Sequence, residues 1–294
     1  MANDAPIGVF DSGLGGLTVL REIIALLPGE NTVYLGDTAR VPYGIRSPEV
    51  VTRYSLENMR FLLGRGIKLL VIACNTASAI SLSTLKIEAP VPVIGVIEPG
   101  ARAAIQASKT GRVGVIGTET TVRSGAYHQV LERLDPEIKV FSRACPLFVP
   151  LAEEGWVDNE VARLAADSYL ADLKDKGIDT LLLGCTHYPL LKRTIARVMG
   201  EGVTLIDSAR ETAREIKKTL AEGGILKTSL PGAPPGGKRE FFVTDAPERF
   251  RTLGGRFFLD GSKNQNPAPE GLCFSPIKEV KLTEVWNEAG WQKK

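Results

Sequence analysis

Short apolar, β-branched runs recur along the chain with helical stretches between them, and this alternation restricts the fold more than any other feature of the sequence. The runs are "IGVF" (7–10), "TVYL" (32–35), "LLVIA" (69–73), "PVIGV" (92–96), "RVGVI" (112–116), "IKVF" (138–141), "TLLLG" (180–184), "VTLI" (203–206) and "EFFV" (240–243). Several are apolar at consecutive positions, so neither face of such a strand is suited to water. That is the pattern of a parallel sheet covered by helices on both sides. Between the runs, Leu17, Leu20, Ile24 and Leu27 follow i, i+3, i+4 spacing, and Val161, Ala165, Tyr169 and Leu173 repeat every four. The expected class is α/β, doubly wound, with mainly parallel sheets.

The alternation is also duplicated. "IGVFDSG", starting at residue 7, resembles "VGVIGTE", starting at 113, and "LLVIACNTAS" (69–78) resembles "TLLLGCTHYP" (180–189). The order is the same and the two intervals are nearly equal, which predicts two α/β units related by pseudo-symmetry. We place them at 1–97 plus 208–260 and at 98–207, with "PGAPPGGK" (231–238) as a surface linker. Residues 261–294 show no clear period and are expected to form a loosely packed C-terminal tail. Ligands of open α/β sheets bind beyond the carboxyl ends of the strands. Asp11-Ser12, Cys74-Asn75-Thr76, Gly117-Thr118 and Cys185-Thr186-His187 all fall at such ends. If the two units face each other, these groups converge on one cleft.

Composition excludes several classes of function. A net charge of +2 with no basic stripe argues against nucleic acid. No run approaches the ~18 apolar residues of a membrane span, and "MANDAPIGVF" lacks the cationic flank and apolar stretch of a signal peptide. The expected location is the cytoplasm. There, four cysteines (Cys74, Cys145, Cys185, Cys273) without a C-x-x-C pair do not read as disulfides. With two histidines, His128 and His187, a zinc site of usual spacing is poorly supported.

A cysteine at a strand end, with a helix starting after it, sits where the helix N-terminus favours a thiolate. Taken singly, Cys74 reads more readily as a small buried hydrophobe. Two cysteines at equivalent places in a repeat, each followed by hydroxyl or amide groups, favour chemistry. Two thiols on opposite faces of one carbon can take a proton from one side and return it on the other, which inverts a stereocentre. A redox dithiol is the competing chemistry and needs the sulfurs nearly in contact. Asp11 would orient or deprotonate Cys74, or be a turn aspartate in "DSG". His187 would serve Cys185, or be a core histidine. Glu153 in "PLAEEGW" reads from its residue type as a solvated helix-end charge. "DSGLGG" lacks the spacing of a dinucleotide turn and suits a bare anion site. "VPYGIRS" (41–47) is a loop with Tyr43 and the Gly44 backbone as donors, or a surface turn.

"GVFDSGLGG", "DTARVPYG", "ACNTAS", "GVIGTETT", "PLFVPLAEEGW" and "GCTHYPLL" together resemble the glutamate racemases of the aspartate/glutamate racemase family, in order from about residue 7 to 260. The resemblance implies two α/β domains with the active site between them, no pyridoxal phosphate or metal, and interconversion of L- and D-glutamate for peptidoglycan. It implies that Cys74 acts on D-glutamate and Cys185 on L-glutamate, with Asp11, His187 and Glu153 as supporting acid–base residues. Ser12, Tyr43, Gly44, Asn75, Thr76, Thr118, Thr121 and Thr186 match positions that hold the substrate. The family commonly forms homodimers, in differing arrangements. A related racemase acting on aspartate or a cyclic derivative remains open on the sequence, since cleft shape sets substrate size.

Overall fold

Each apolar run forms a strand in the computed structural model, which describes residues 4–227, 236–258 and 277–280. The first part of the chain runs β1 (Ile7–Asp11), α1 (Leu17–Leu26), β2 (Thr32–Gly36), α2 (Pro48–Leu63), β3 (Leu69–Ile72), α3 (Asn75–Glu88), β4 (Val93–Gly95) and α4 (Ile97–Ala107). The second runs β5 (Arg112–Gly117), α5 (Glu119–Arg123), α6 (Ala126–Leu134), β6 (Lys139–Ala144), α7 (Phe148–Glu154), α8 (Glu160–Asp175), β7 (Thr180–Gly184), α9 (Lys192–Met199) and β8 (Thr204–Asp207). Helix α10 (Ser208–Glu222), β9 (Arg239–Val243), α11 (Pro247–Phe258) and β10 (Ile277–Glu279) follow.

The strands make two parallel sheets, ordered β10-β9-β2-β1-β3-β4 and β6-β5-β7-β8. The order β2-β1-β3-β4 of the first recurs as β6-β5-β7-β8 in the second, so the sequence repeat is a repeat of topology. Both cysteine runs occupy the same strand of it, β3 and β7. Even the close approaches recur. A Cβ on Gly8 would meet Ile67 Cδ1 at 2.7 Å, and one on Gly114 would meet Ile178 Cδ1 at 2.4 Å. Both glycines let the isoleucine before the neighbouring strand close over the central one.

Alternate side chains of the central strands enter different cores, which is why the runs are apolar throughout. Ile7, Val9, Leu69 and Val71 pack with α1 and α10, whereas Phe10, Leu70 and Ile72 pack with Met59, Leu62 and Leu85 of α2 and α3. In the second sheet Leu181 and Leu183 face α8 and α9, and Val113, Val115 and Leu182 face Ile97, Ala101 and Leu131. The chain therefore crosses between sheets at α4 and returns at α10, whose Ala209, Ala213 and Ile216 join the first core.

Several helix starts are fixed by side-chain caps. Ser47 accepts the Val50 N–H ahead of Pro48, and Asn159 accepts the Ala162 N–H at the start of α8. Helix α8 buries Ala162, Ala166, Leu170 and Leu173; of the expected row Leu173 is buried, Ala165 and Tyr169 pack partly against the same core, and Val161 is exposed. Most of the linker at 231–238 lies outside the described residues. So does most of the expected tail at 261–294, but Ile277–Glu279 pairs with β9 as the outer strand of the first sheet. No helix among the described residues is long and apolar enough to cross a membrane.

Candidate active site

The carboxyl ends of the two sheets face each other, and polar side chains bridge them. Thr76, in the first turn of α3, lies 2.9 Å from the Thr118 hydroxyl and 3.0 Å from that of Thr121; these two are 2.9 Å apart. The Tyr127 hydroxyl of α6 donates to Asn75 Oδ1 at 2.6 Å. The Thr120 hydroxyl donates to the Arg46 carbonyl at 3.1 Å. On the other flank, Thr18 donates to the Thr186 carbonyl (3.3 Å), and Thr186 donates to Asp11 Oδ1 (3.5 Å). Gly44 and Gly15 sit where these surfaces touch. A Cβ on Gly44 would lie 2.6 Å from Thr118 Cβ, and one on Gly15 would lie 2.1 Å from Thr186 Oγ1.

Both thiols lie beside this junction, Cys74 next to Asn75 and Thr76 and Cys185 next to Thr186, and are nearly buried, Cys74 being 5% and Cys185 6% exposed. They are close enough that charge on Cys185 raises the pKa of Cys74. Their surroundings differ. Cys74 is the N-cap of α3; its sulfur accepts the Ala77 N–H at 3.5 Å and lies 3.7 Å from the Ser12 hydroxyl. The expected lowering by the helix N-terminus is present but outweighed. Burial, with the charge of Asp11 adding to it, pushes Cys74 up to about 12, against the Ala77 and Ser12 hydrogen bonds. Cys185 precedes only a single 3₁₀ turn, Tyr188–Leu191, and has an imidazole instead: Sγ lies 4.0 Å from His187 Nδ1.

His187 is buried and its other nitrogen, Nε2, lies 3.1 Å from Glu153 Oε1. Burial works against its charge, yet the hydrogen bonds and charges of Cys185 and Glu153 prevail and raise its pKa to about 10. Glu153 is correspondingly lowered, mainly by its hydrogen bond to His187 and against burial, with Arg249 contributing. On the Cys74 side, Asp11 is raised by burial, although the His187 charge and the Gly13 N–H (2.9 Å) draw it down. Cys185 thus has an imidazole–carboxylate pair beside it, whereas Cys74 feels a carboxyl, Asp11, that also accepts from Thr186 and faces the His187 charge.

The structure brings Asp11, Ser12, Cys74, Asn75, Thr76, Thr118, Thr121, Glu153, Cys185, Thr186 and His187 to the junction. Gly44 joins them through Thr118. Tyr43 is at the junction but its hydroxyl is engaged elsewhere, donating to Asp37 and accepting from Asn58 Nδ2 at 3.0 Å. The reading from sequence passed over Thr18, Tyr127 and Arg249. Thr18 lies in the first turn of α1 and Tyr127 on an ordinary amphipathic helix, and nothing local marks either. Cys145 is buried nearby, and Cys273 lies outside the described residues. Among the described residues, no three His, Cys, Asp or Glu side chains are grouped as metal ligands.

A family model described as Asp/Glu/Hydantoin racemase matches residues 7–216, from β1 through most of α10. The chain belongs to that racemase family. A glutamate racemase from Geobacter metallireducens is 59% identical over 85% of this chain and 92% of its own. Among solved structures, a glutamate racemase isoform from Bacillus anthracis superposes with a TM-score of 0.82 at 45% identity, over 86% of this chain and 93% of that one. The Francisella tularensis glutamate racemase, solved with D-glutamate, superposes with a TM-score of 0.83 at 36% identity, over 96% of this chain and 99% of that one. The sheet repeat and the inter-sheet junction of this racemase-family chain thus belong to a fold that racemases share.

Proposed function

We propose that the chain interconverts L- and D-glutamate by proton transfer between two thiols, without a cofactor. The observation that carries this reading is the pair of nearly buried cysteines at equivalent strand ends, in different ionisable surroundings, at one junction. The glutamate racemases among its relatives supply the substrate, and the D-glutamate complex of the Francisella protein supports a ligand of that size. The units that close over it are, on this reading, 1–97 with 208–260 and 98–207.

Cys74 as thiolate takes the α-proton of D-glutamate, its S–H bond forming as the C–H pair becomes a carbanion. Cys185, held as a thiol on the opposite face, then donates its proton to that carbon and is left as thiolate, giving L-glutamate. The reverse direction exchanges the roles. The resting Cys74 is a thiol, and the substrate's ammonium brings the positive charge that a thiolate needs. Asp11 then accepts the Cys74 proton. His187, held by Glu153, stabilises the Cys185 thiolate as it forms. Donors from Ser12, Gly44, Asn75, Thr76, Thr118, Thr121 and Thr186 bind the carboxylates and take up charge that reaches the α-carboxylate. D-glutamate made in this way supplies peptidoglycan, and a cytoplasmic site fits it, since reducing conditions keep facing thiols unlinked.

Solvent exchange tests the assignment. In D2O the wild-type chain should move deuterium into the α-position of either enantiomer as it inverts it. C74A and C185A should each lose racemisation while keeping the native far-UV spectrum. Full racemisation by either variant would reject the two-thiol mechanism.

A further inference from the structure

We infer that helix α11 is part of the acid–base apparatus at Cys185, with Arg249 as a positioning residue that acts through Glu153 on His187. The inference rests on Cys185, His187 and Glu153 acting as proposed above. Helix α11 follows the family match, which ends at residue 216, and belongs to the first sheet: Phe250, Phe257 and Phe258 pack with Tyr34, Phe241 and Val243. Glu153 is on α7, whose Phe148, Leu151 and Ala152 belong to the core of the second. The two meet only across the junction.

Three side chains of α11 reach the pair that serves Cys185. Glu153 takes His187 Nε2 on Oε1, which leaves Oε2, and Arg249 Nη2 lies 3.4 Å from it. Arg256 Nη1 donates to the Glu153 backbone carbonyl at 3.1 Å. Phe257, buried, sets its ring edge-on to the imidazole, with centroids 5.2 Å apart and planes at 83°. A carboxylate held through one oxygen can rotate and take the imidazole with it. Held through both, it fixes the ring, and Nδ1 stays turned toward Cys185.

The charged groups around Glu153 are few. His187 faces it from the β7 side, Arg249 and Arg256 face it from α11, and Glu154 is its neighbour on α7; Cys185 and Asp11 stand beyond His187. A cavity of about 280 Å³ lined by Glu153, Glu154, Arg249, Thr252, Leu253 and Arg256 opens on this face, and the Arg249 side chain is 57% exposed. Substituting Arg249 therefore removes little core, and its effect reads as positioning and charge rather than as unfolding.

The test compares wild type, R249Q, R249K, E153Q and R249Q/E153Q as full chains, measuring kcat and KM for both glutamate enantiomers against pH and KCl. R249Q should lower kcat about fivefold, the upper range for a solvent-exposed ion pair, and leave KM nearly unchanged. Loss of the arginine raises the Glu153 pKa, so the acidic limb of kcat/KM should move to higher pH. Added KCl should narrow the gap from wild type, since salt already weakens the native pair. R249K should recover most of the loss, and in the E153Q background R249Q should cost nothing further. An equal R249Q loss with and without Glu153 overturns the α11 assignment alone. A wild-type chain that fails to racemise glutamate, read before any variant, defeats the proposed function and this inference with it.

Discussion

Gly15 is the position where one added methyl should do most harm to the Cys185 side while changing least elsewhere. In Gly15→Ala the new carbon would stand 2.1 Å from Thr186 Oγ1, 2.5 Å from His187 Nδ1 and 2.7 Å from His187 Cε1. Contacts of that kind relax at about 3.5 Å, so the imidazole must move by about 1 Å and the Thr186 hydroxyl by more. The Thr186 hydroxyl can swing aside by rotating about χ1. The imidazole has less freedom, held by Glu153 at Nε2 and by the Phe257 ring. Either His187 Nδ1 leaves Cys185 or the loop after β1 lifts and takes Asp11 with it. Overpacking of this sort costs about 1–3 kcal/mol of stability, a fall of several degrees in Tm at this chain length. Displacing a catalytic group by about 1 Å costs roughly 100-fold in rate. Gly15 does not use the left-handed region, so no backbone penalty confuses the result. The assay is the loss of glutamate ellipticity from each enantiomer. Because enantiomers are equal in energy, kcat/KM must fall by the same factor in both directions. Gly13→Ala, whose methyl meets only Val41 at 3.4 Å, is the control in the same loop and should stay near wild type. A G15A chain with wild-type kcat/KM would refute the claim that this contact sets the base.

His187 should link stability to pH. Its pKa rises from 6.5 to about 10 on folding, so its contribution is complete below about pH 6.5 and is lost as pH climbs through 10. The Tm gap between wild type and H187N should shrink over that window, and a gap independent of pH would contradict the assignment. Tyr127→Phe removes the hydroxyl that donates to Asn75 at 2.6 Å. It should cost about 1–3 kcal/mol, seen as a lower Tm and a higher KM for glutamate. Asn159→Ala removes the cap of α8 and should lower stability by about 1 kcal/mol in urea unfolding with kcat unchanged.

The strands were legible because a strand buried on both faces has no polar positions to blur it. The stripe of α8 was only partly so. Spacing of four fits two adjacent rows, and Ala165 and Ala166 are too alike for hydrophobicity to choose between them; packing put Val161 outside. Strand β10 escaped notice because Ile277–Glu279 is three residues with no period, and it exists through its partner β9. The cysteines stood out through the repeat, which gave their equivalent places at β3 and β7. Their ionisation did not, since a helix N-terminus is visible in sequence while burial beside Asp11 is not, and at Cys74 burial prevails. Arg249 and Tyr127 touch residues far away in the chain, and an arginine or tyrosine on an amphipathic helix carries no mark of what it will face.

The three threonines where the sheets meet, Thr76, Thr118 and Thr121, form a closed triangle of hydroxyls. Each hydroxyl has a single proton to give, so within the ring every corner gives one and takes one, Thr118 also accepting the Thr121 N–H at 3.3 Å, and the circle can run clockwise or anticlockwise. An arriving anion changes that symmetry. An ionised oxygen accepts and never donates, so at least one proton must turn out of the ring toward it, exchanging a neutral bond for a stronger charged one. A water molecule offers no such gain. The triangle is therefore a resting place for donors that opens preferentially to negative charge.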